Sequence, residues 1–298
     1  MRYLLLLLLF FTGCQQLGES ISLDEVSAKA RSGDRKAIEQ LVGLLSSEGE
    51  LTNERVYSVL VSLNSAEVIP VLLGKVHSSD RIQREYVIAA LGNHQAATAV
   101  KPIAEVLADR QLKRRYIAAW ALGEIAQPDC VQPLLNALGD SDGEVRKAAT
   151  RSLIKLNRLA TEPLIDFLSH TESTTAAGAI RALGDIADPL AFEVLANRIK
   201  GANRAEVILA LGKLKDSRSE PLLIEALQDA DWQVRMNAAM ALSEVGGAAS
   251  IMPLETALQD DVNVVREWSA RSLEMLTGKH YRYRNETGEL VLPYNIYH

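Results

Sequence analysis

The stretch Val131-Gln132-Pro133-Leu134-Leu135-Asn136-Ala137-Leu138 reads as a short helix that begins just ahead of its proline. Proline is tolerated in a first helical turn, where its missing N–H has no partner to lose. Gly139-Asp140-Ser141-Asp142 follows and contains good N-cap residues for a second helix. The second helix is plainest further on, in Val234-Arg235-Met236-Asn237-Ala238-Ala239-Met240-Ala241-Leu242. Its apolar spacing is helical rather than alternating, and its alanines let a neighbouring helix come close.

Working outward, the same pair recurs. Prolines followed by apolar residues stand at Pro70, Pro102, Pro133, Pro163, Pro221 and Pro253, at intervals of 32, 31, 30, 58 and 32 residues. The interval of 58 is two units with one proline missing, and Phe192-Glu193-Val194-Leu195 fills the gap. A second series runs in phase with the first: Ala90-Leu91-Gly92, Ala121-Leu122-Gly123, Ala182-Leu183-Gly184 and Ala210-Leu211-Gly212, continued by Ala241-Leu242-Ser243 and Ser272-Leu273-Glu274. Eight residues before these final positions sit Arg84, Arg115, Arg204, Arg235 and Arg266. Arg146 takes the same place in the fourth unit, and Ala176 breaks the series. Two registered series at a period near thirty predict a repeat protein whose units bury their apolar faces by stacking.

These features, the Asp…Val-Arg start of the second helix and its Ala-Leu-Gly end, resemble the short HEAT-like repeats of the phycobilisome bilin lyase type. The resemblance spans roughly residues 34 to 277 and implies an all-α, right-handed α-solenoid of about eight two-helix units. They begin near residues 24, 65, 96, 127, 158, 188, 216 and 247, so that 24–277 forms the solenoid. The first unit is degenerate, with Asn53 where the arginine belongs, as terminal units with one uncovered face tend to be. Residues 278–298 differ in character. Tyr281 to Arg284 alternates, Asn285-Glu286-Thr287-Gly288 looks like a turn and Leu290-Val291-Leu292 returns. This predicts a small hairpin that caps the last unit.

At the other end, Leu4 to Phe11 is an unbroken apolar run, too short for a bilayer-spanning helix of about 20 residues. Its length suits a secretory signal over residues 1–13. Phe11-Thr12-Gly13-Cys14 resembles the lipobox of bacterial lipoproteins, which implies a lipid on Cys14 and a tether over 14–23. Gln15, rather than Asp, after the cysteine implies the periplasmic face of the outer membrane by the enterobacterial sorting rule. The second cysteine, Cys130, then has no disulfide partner and reads as a buried thiol. The net charge of −6 argues against nucleic acid as a partner.

The search for chemistry nominates no catalytic residue, metal ligand or cofactor. Gly-x-Ser-x-Gly, phosphate-loop and dinucleotide-binding patterns are missing. The HEAT-repeat enzyme deoxyhypusine hydroxylase holds iron with His-Glu dipeptides, and no histidine here is followed by Glu. The arginine ladder (Arg84, Arg115, Arg146, Arg204, Arg235, Arg266) reads as structural, each cation bonding the acidic loop before it, as Asp142 with Arg146 or Asp231 with Arg235 at a spacing of four. The resemblance implies that the second helices line a concave side. Positions one and five after the arginine share a face and carry Tyr116, Trp120, Lys147, Arg151, Arg181, Met236, Met240, Glu267 and Arg271. That strip, with interface-enriched residue types, predicts a surface for a protein or peptide whose acidic segment meets the basic centre. The expected function is a lipid-anchored binding scaffold of the cell envelope. The alternative implied by the resemblance is a bilin lyase-like enzyme or chaperone acting on a tetrapyrrole-bearing protein.

Overall fold

The computed structural model describes residues 22–46, 50–171 and 175–293, so Cys14, the leader, most of the tether, and Tyr294 and Tyr297 lie outside the described residues. Among those described there are seventeen α-helices and one two-stranded hairpin. α1 (Leu23–Arg31) precedes seven pairs and a terminal pair. The pairs are α2 (Arg35–Leu44) with α3 (Glu50–Ser62), α4 (Ser65–Leu73) with α5 (Arg81–Asn93), α6 (Val100–Ala108) with α7 (Tyr116–Ile125), and α8 (Val131–Ala137) with α9 (Gly143–Leu156). They continue as α10 (Arg158–His170) with α11 (Ala176–Ile186), α12 (Phe192–Ala196) with α13 (Arg204–Lys213), α14 (Glu220–Ala226) with α15 (Trp232–Val245), and α16 (Ala248–Ala257) with α17 (Asn263–Thr277). The expected α-solenoid is present.

Two details differ from the sequence reading. The first unit holds three helices, because α1 lies against α2 as an extra cover on the open end of the stack. The prolines do not all fall in a first turn. Pro102, Pro133 and Pro221 do, each after a short 3₁₀ turn that restarts the helix, whereas Pro70, Pro163 and Pro253 lie inside α4, α10 and α16. There the helix begins about one turn earlier and gives up one backbone hydrogen bond at the proline.

The second helices stack on one another without a break from α3 to α17, while the first helices form a looser layer in which α2 meets α4, α6 to α12 follow one another and α14 meets α16, with the core between the two layers. The two layers are not equally tight. A Cβ built on Gly212 would stand 2.5 Å from the Ala241 Cβ, and one on Gly184 would stand 2.7 Å from the Ala210 Cα. Glycine at the end of the Ala-Leu-Gly motif is therefore what brings successive second helices nearly into backbone contact. Ser152 Oγ and Ser272 Oγ add hydrogen bonds across the same joints, to the carbonyls of Ala119 and Ala239 at 2.9 and 2.7 Å. The second helices approach more closely than the first, so their layer follows the shorter arc and faces the concave side.

The C-terminal hairpin pairs β1 (Tyr283–Arg284) with β2 (Leu290–Val291) in antiparallel register, Tyr283 opposite Val291. The Asn285 side chain closes the turn by accepting from the Thr287 and Glu289 N–H groups at 3.0 and 2.9 Å. β1 lies against α17 with Tyr283 buried, so the hairpin covers the last unit as its alternation foretold.

Candidate functional site

The recurring arginines stand at the start of six of the eight second helices, where a guanidinium can reach the open carbonyls of the loop just traversed. Arg84 donates to Ser78 O at 2.7 Å, Arg146 to Asp140 O at 2.7 Å, Arg235 to Asp229 O at 2.8 Å and Arg266 to Asp260 O at 2.6 Å. In all four the bond runs back six residues. Arg115 makes the same kind of bond to Leu107 O and Leu112 O at 3.0 and 3.2 Å. The expected pairs Asp142–Arg146 and Asp231–Arg235 do not form. Asp142 and Asp231 cap their helices by accepting from Glu144 N and Gln233 N, both at 2.9 Å, and that capping employs the carboxylates.

Three of the arginines also reach forward, to an aspartate in the next unit. Arg115 grips Asp140 in a bidentate pair at 2.5 and 2.8 Å, Arg235 grips Asp260 at 2.6 and 3.0 Å, and Arg204 meets Asp229 at 3.1 Å. Each of these aspartates also accepts the N–H two residues on at 2.8 Å, which fixes its loop. The Arg115 hydrogen bond holds the Asp140 carboxyl below the usual carboxylate range. Burial pushes Asp260 the other way, yet the Arg235 and Val262 hydrogen bonds and the charges of Arg235 and Arg266 outweigh it, so that carboxyl is also lowered. Arg266 ends the series by donating to Arg284 O at 2.7 Å, tying the hairpin to the stack. At Ala176 the ladder has no cation, and Arg198, from the following unit, donates to Leu168 O and to Thr171 O in its place. Sequence spacing did not single out Arg198.

The concave face holds three grooves in succession. The first, of about 880 Å³, is lined by Tyr57 of α3, Tyr86 of α5, Tyr116 and Trp120 of α7 and Arg151 of α9. Its walls are braced. The rings of Tyr57 and Tyr86 are tilted at 5.5 Å between centroids, Tyr86 donates to Glu54 at 2.7 Å, and Asn93 donates to the Tyr57 hydroxyl at 2.7 Å. Burial raises the Tyr57 phenol. Arg114, held in a left-handed conformation at φ 57°, bonds both the Tyr116 hydroxyl, at 2.9 Å, and Glu85, at 3.2 Å. Trp120 remains 37% exposed.

The second groove, of about 810 Å³, brings Lys147 and Arg151 of α9 together with Arg181 of α11. The third, of about 750 Å³, holds Leu209 of α13, Met240 of α15, and Trp268, Arg271 and Met275 of α17. Arg271 bonds Glu267 at 2.6 Å and lies over the Trp268 ring at 4.9 Å. The predicted strip thus falls on the concave layer, with Tyr116, Trp120 and Arg151 in one groove, Lys147, Arg151 and Arg181 in the next, and Met240 and Arg271 in the third. Met236 is half-buried and lines none of the three. Among the described residues no three His, Cys, Asp or Glu side chains gather as metal ligands would, and no helix is long and apolar enough to cross a membrane.

The family model of HEAT repeats matches residues 76–155, 131–203 and 200–274, most of the chain. The chain belongs to the HEAT-repeat family. Among curated proteins it is similar to phycocyanobilin lyase subunit alpha of Picosynechococcus sp., 27% identical over 198 residues that cover 63% of this chain and 68% of the relative. Among solved structures it is similar to human deoxyhypusine hydroxylase in complex with glycerol, at 21% identity and a TM-score of 0.36 over 85% of this chain and 99% of that one. It is also similar to the complex of CpcE and CpcF of phycocyanin lyase from Nostoc sp., at 23% identity and a TM-score of 0.37 over 68% of this chain and 86% of that one.

In this HEAT-repeat chain the groove is wider than the two positions per helix that the arginine register selected. Tyr86 and Trp268 stand two residues after their arginines and Met275 stands nine after Arg266. At about 100° per residue, positions two, five and nine lie within one helical face. Counting that whole face would have found them. Chemically, the HEAT-repeat face offers aromatic surface, guanidinium and lysine donors, and soft apolar surface in that order. Its carboxylates are engaged: Glu85 with Arg81 and Arg114, Glu124 with Lys155, Asp185 with Lys213, and Glu244 with Lys215.

Proposed function

We propose that this HEAT-repeat solenoid is a scaffold that binds a protein partner along its concave layer, and that a lipid on Cys14 holds it at the bacterial cell envelope, on the periplasmic face of the outer membrane. The observation that carries the binding role is the run of three grooves on consecutive second helices, whose aromatic, cationic and methionine side chains are types enriched at interfaces. The tether rests on the Phe11-Thr12-Gly13-Cys14 pattern. Mild in-cell crosslinking of the intact protein, set against a Trp120→Ala, Arg151→Ala variant, tests the first part. A defined envelope protein lost in the variant supports it, and identical profiles refute it. Mass spectrometry of the mature N-terminus tests the second part: an unmodified Cys14, or a Cys14→Ser chain still found in the membrane fraction, refutes the lipid tether.

A second reading follows from the relative named a phycocyanobilin lyase subunit. On that reading the chain handles a tetrapyrrole-bearing protein, with the aromatic groove of Tyr57, Tyr86, Tyr116 and Trp120 against the pigment. A shift in a bilin absorption spectrum on titration with the purified protein favours it, and an unchanged spectrum removes it.

A further inference from the structure

The charges along the concave face fall into two groups. Most are neutralised within the protein: Arg114 by Glu85, Lys147 by Glu144, Lys155 by Glu124, Lys213 by Asp185, Lys215 by Glu244 and Arg271 by Glu267. Arg151 and Arg181 are different. Both are exposed, both line the middle groove, and neither has an ion pair or hydrogen bond with any described residue. Of these charged side chains on the concave face, Arg151 and Arg181 are the ones left without a counter-charge. The groove that follows toward the C-terminus is apolar at its surface, with Leu209, Met240, Trp268 and Met275, and its own charges are paired.

Resting on the concave binding role above, we propose that the occupant is a partner segment of two parts, an acidic stretch seated on Arg151 and Arg181 followed by an apolar stretch over Leu209, Met240, Trp268 and Met275. Charge complementarity selects the acidic part, because carboxylates supply the counter-charge that the protein itself withholds at these two arginines. Methionine selects the apolar part loosely, being flexible and polarisable, so that it accepts varied apolar side chains. Geometry sets the length. Five second helices, α9 to α17, at about 10 Å per step span about 40 Å, or about twelve residues of extended chain at about 3.3 Å each.

The test uses the full chain and two labelled twelve-residue peptides, one of six glutamates followed by six leucines and serines, the other with lysines in place of the glutamates. Fluorescence anisotropy at several salt concentrations reads Kd. The acidic peptide binds, and its affinity falls as salt rises. The Arg151→Glu, Arg181→Glu chain binds it about tenfold or more weakly and gains affinity for the lysine peptide, with circular dichroism and Tm unchanged because both side chains are exposed. Met240→Ala with Met275→Ala weakens both peptides alike. The proposal is overturned if neither peptide binds the native chain, or if charge reversal leaves the acidic peptide's Kd unaltered. A native preference for the lysine peptide that is lost in the methionine variant overturns the acidic assignment while keeping the concave face as the docking surface. The crosslinking experiment above decides that face independently.

Discussion

Replacing Asp140 by alanine separates burial from sequence register as the source of the ladder's strength. Arg115 and Asp140 form a bidentate pair in which the side chains are 5% and 7% exposed. Arg204 and Asp229 occupy equivalent places three joints further on, but make a single contact at 3.1 Å with side chains 38% and 24% exposed. Breaking a buried pair by removing one partner costs about 3–5 kcal/mol, because the other charge is left uncompensated. Arg115 keeps its bonds to Leu107 O and Leu112 O, so the low end, about 3 kcal/mol, applies. An exposed pair is worth about 0–1 kcal/mol. Each aspartate also accepts one loop N–H at 2.8 Å, a loss common to both variants that cancels between them. Asp140→Ala should therefore cost about 2–3 kcal/mol more than Asp229→Ala. Urea unfolding followed by far-ultraviolet circular dichroism measures this, with a nearest-neighbour treatment should the slope fall, since a weakened joint lets a repeat array unfold in parts. Arg115→Met with Asp140→Leu should recover most of the loss, because no buried charge is then stranded. Equal costs for the two aspartates, within about 0.5 kcal/mol, would refute the reasoning.

Other outcomes follow from the same contacts. Gly212→Ala puts a Cβ 2.5 Å from that of Ala241 and should destabilise by about 1–3 kcal/mol, whereas Gly43→Ala, an exposed helical position with no neighbour within 4 Å, should stabilise by about 0.5–1 kcal/mol in the same urea assay. Asp140 and Asp260 have folded pKa values below their unfolded ones, so their stabilisation is complete above an unfolded pKa of about 3.9 and is lost as pH falls through the lower folded values. Tm should drop steeply below about pH 4, and the drop should be shallower in Asp140→Asn. Burial raises the Cys130 thiol, so a neutral maleimide should label it slowly in the folded chain and rapidly in urea, and fast native labelling would contradict its placement.

What was legible from sequence was whatever repeats. The proline and Ala-Leu-Gly series share one period, so the pairing of helices and the stacking of units could be read without knowing a single contact. The hairpin was legible for a local reason, since alternation at Tyr281–Arg284 and an Asn-led turn need only near neighbours. Competition between partners was not legible. Asp142 and Arg146 stand four apart, yet a cap at the start of α9 claims the carboxylate first. Nor is the forward interval of 25 residues sufficient. Arg84 has Asp109 at that distance and bonds the Ser78 carbonyl instead. The extra helix α1 escaped notice because it serves an end of the stack, where the repeat pattern has nothing to register against.

Recurrence also sorts structure from function in this chain. Of the six arginines that return along the stack, five bond carbonyls of their own loops and three hold an aspartate of the next unit, so their charge is absorbed in holding loops and units together. The positions just beside them do not return: Tyr116 and Trp120 give way to Lys147 and Arg151, then Arg181, then Met236 and Met240. A residue demanded by stacking must recur, because every joint poses the same problem. A residue that differs from joint to joint, on a face that stacking leaves open, is not dictated by stacking and is free to serve a partner. Arg151 and Arg181 are the sharpest case: they flank the one joint where the ladder has alanine, Ala176, and they bring to the groove two cations that no described residue neutralises.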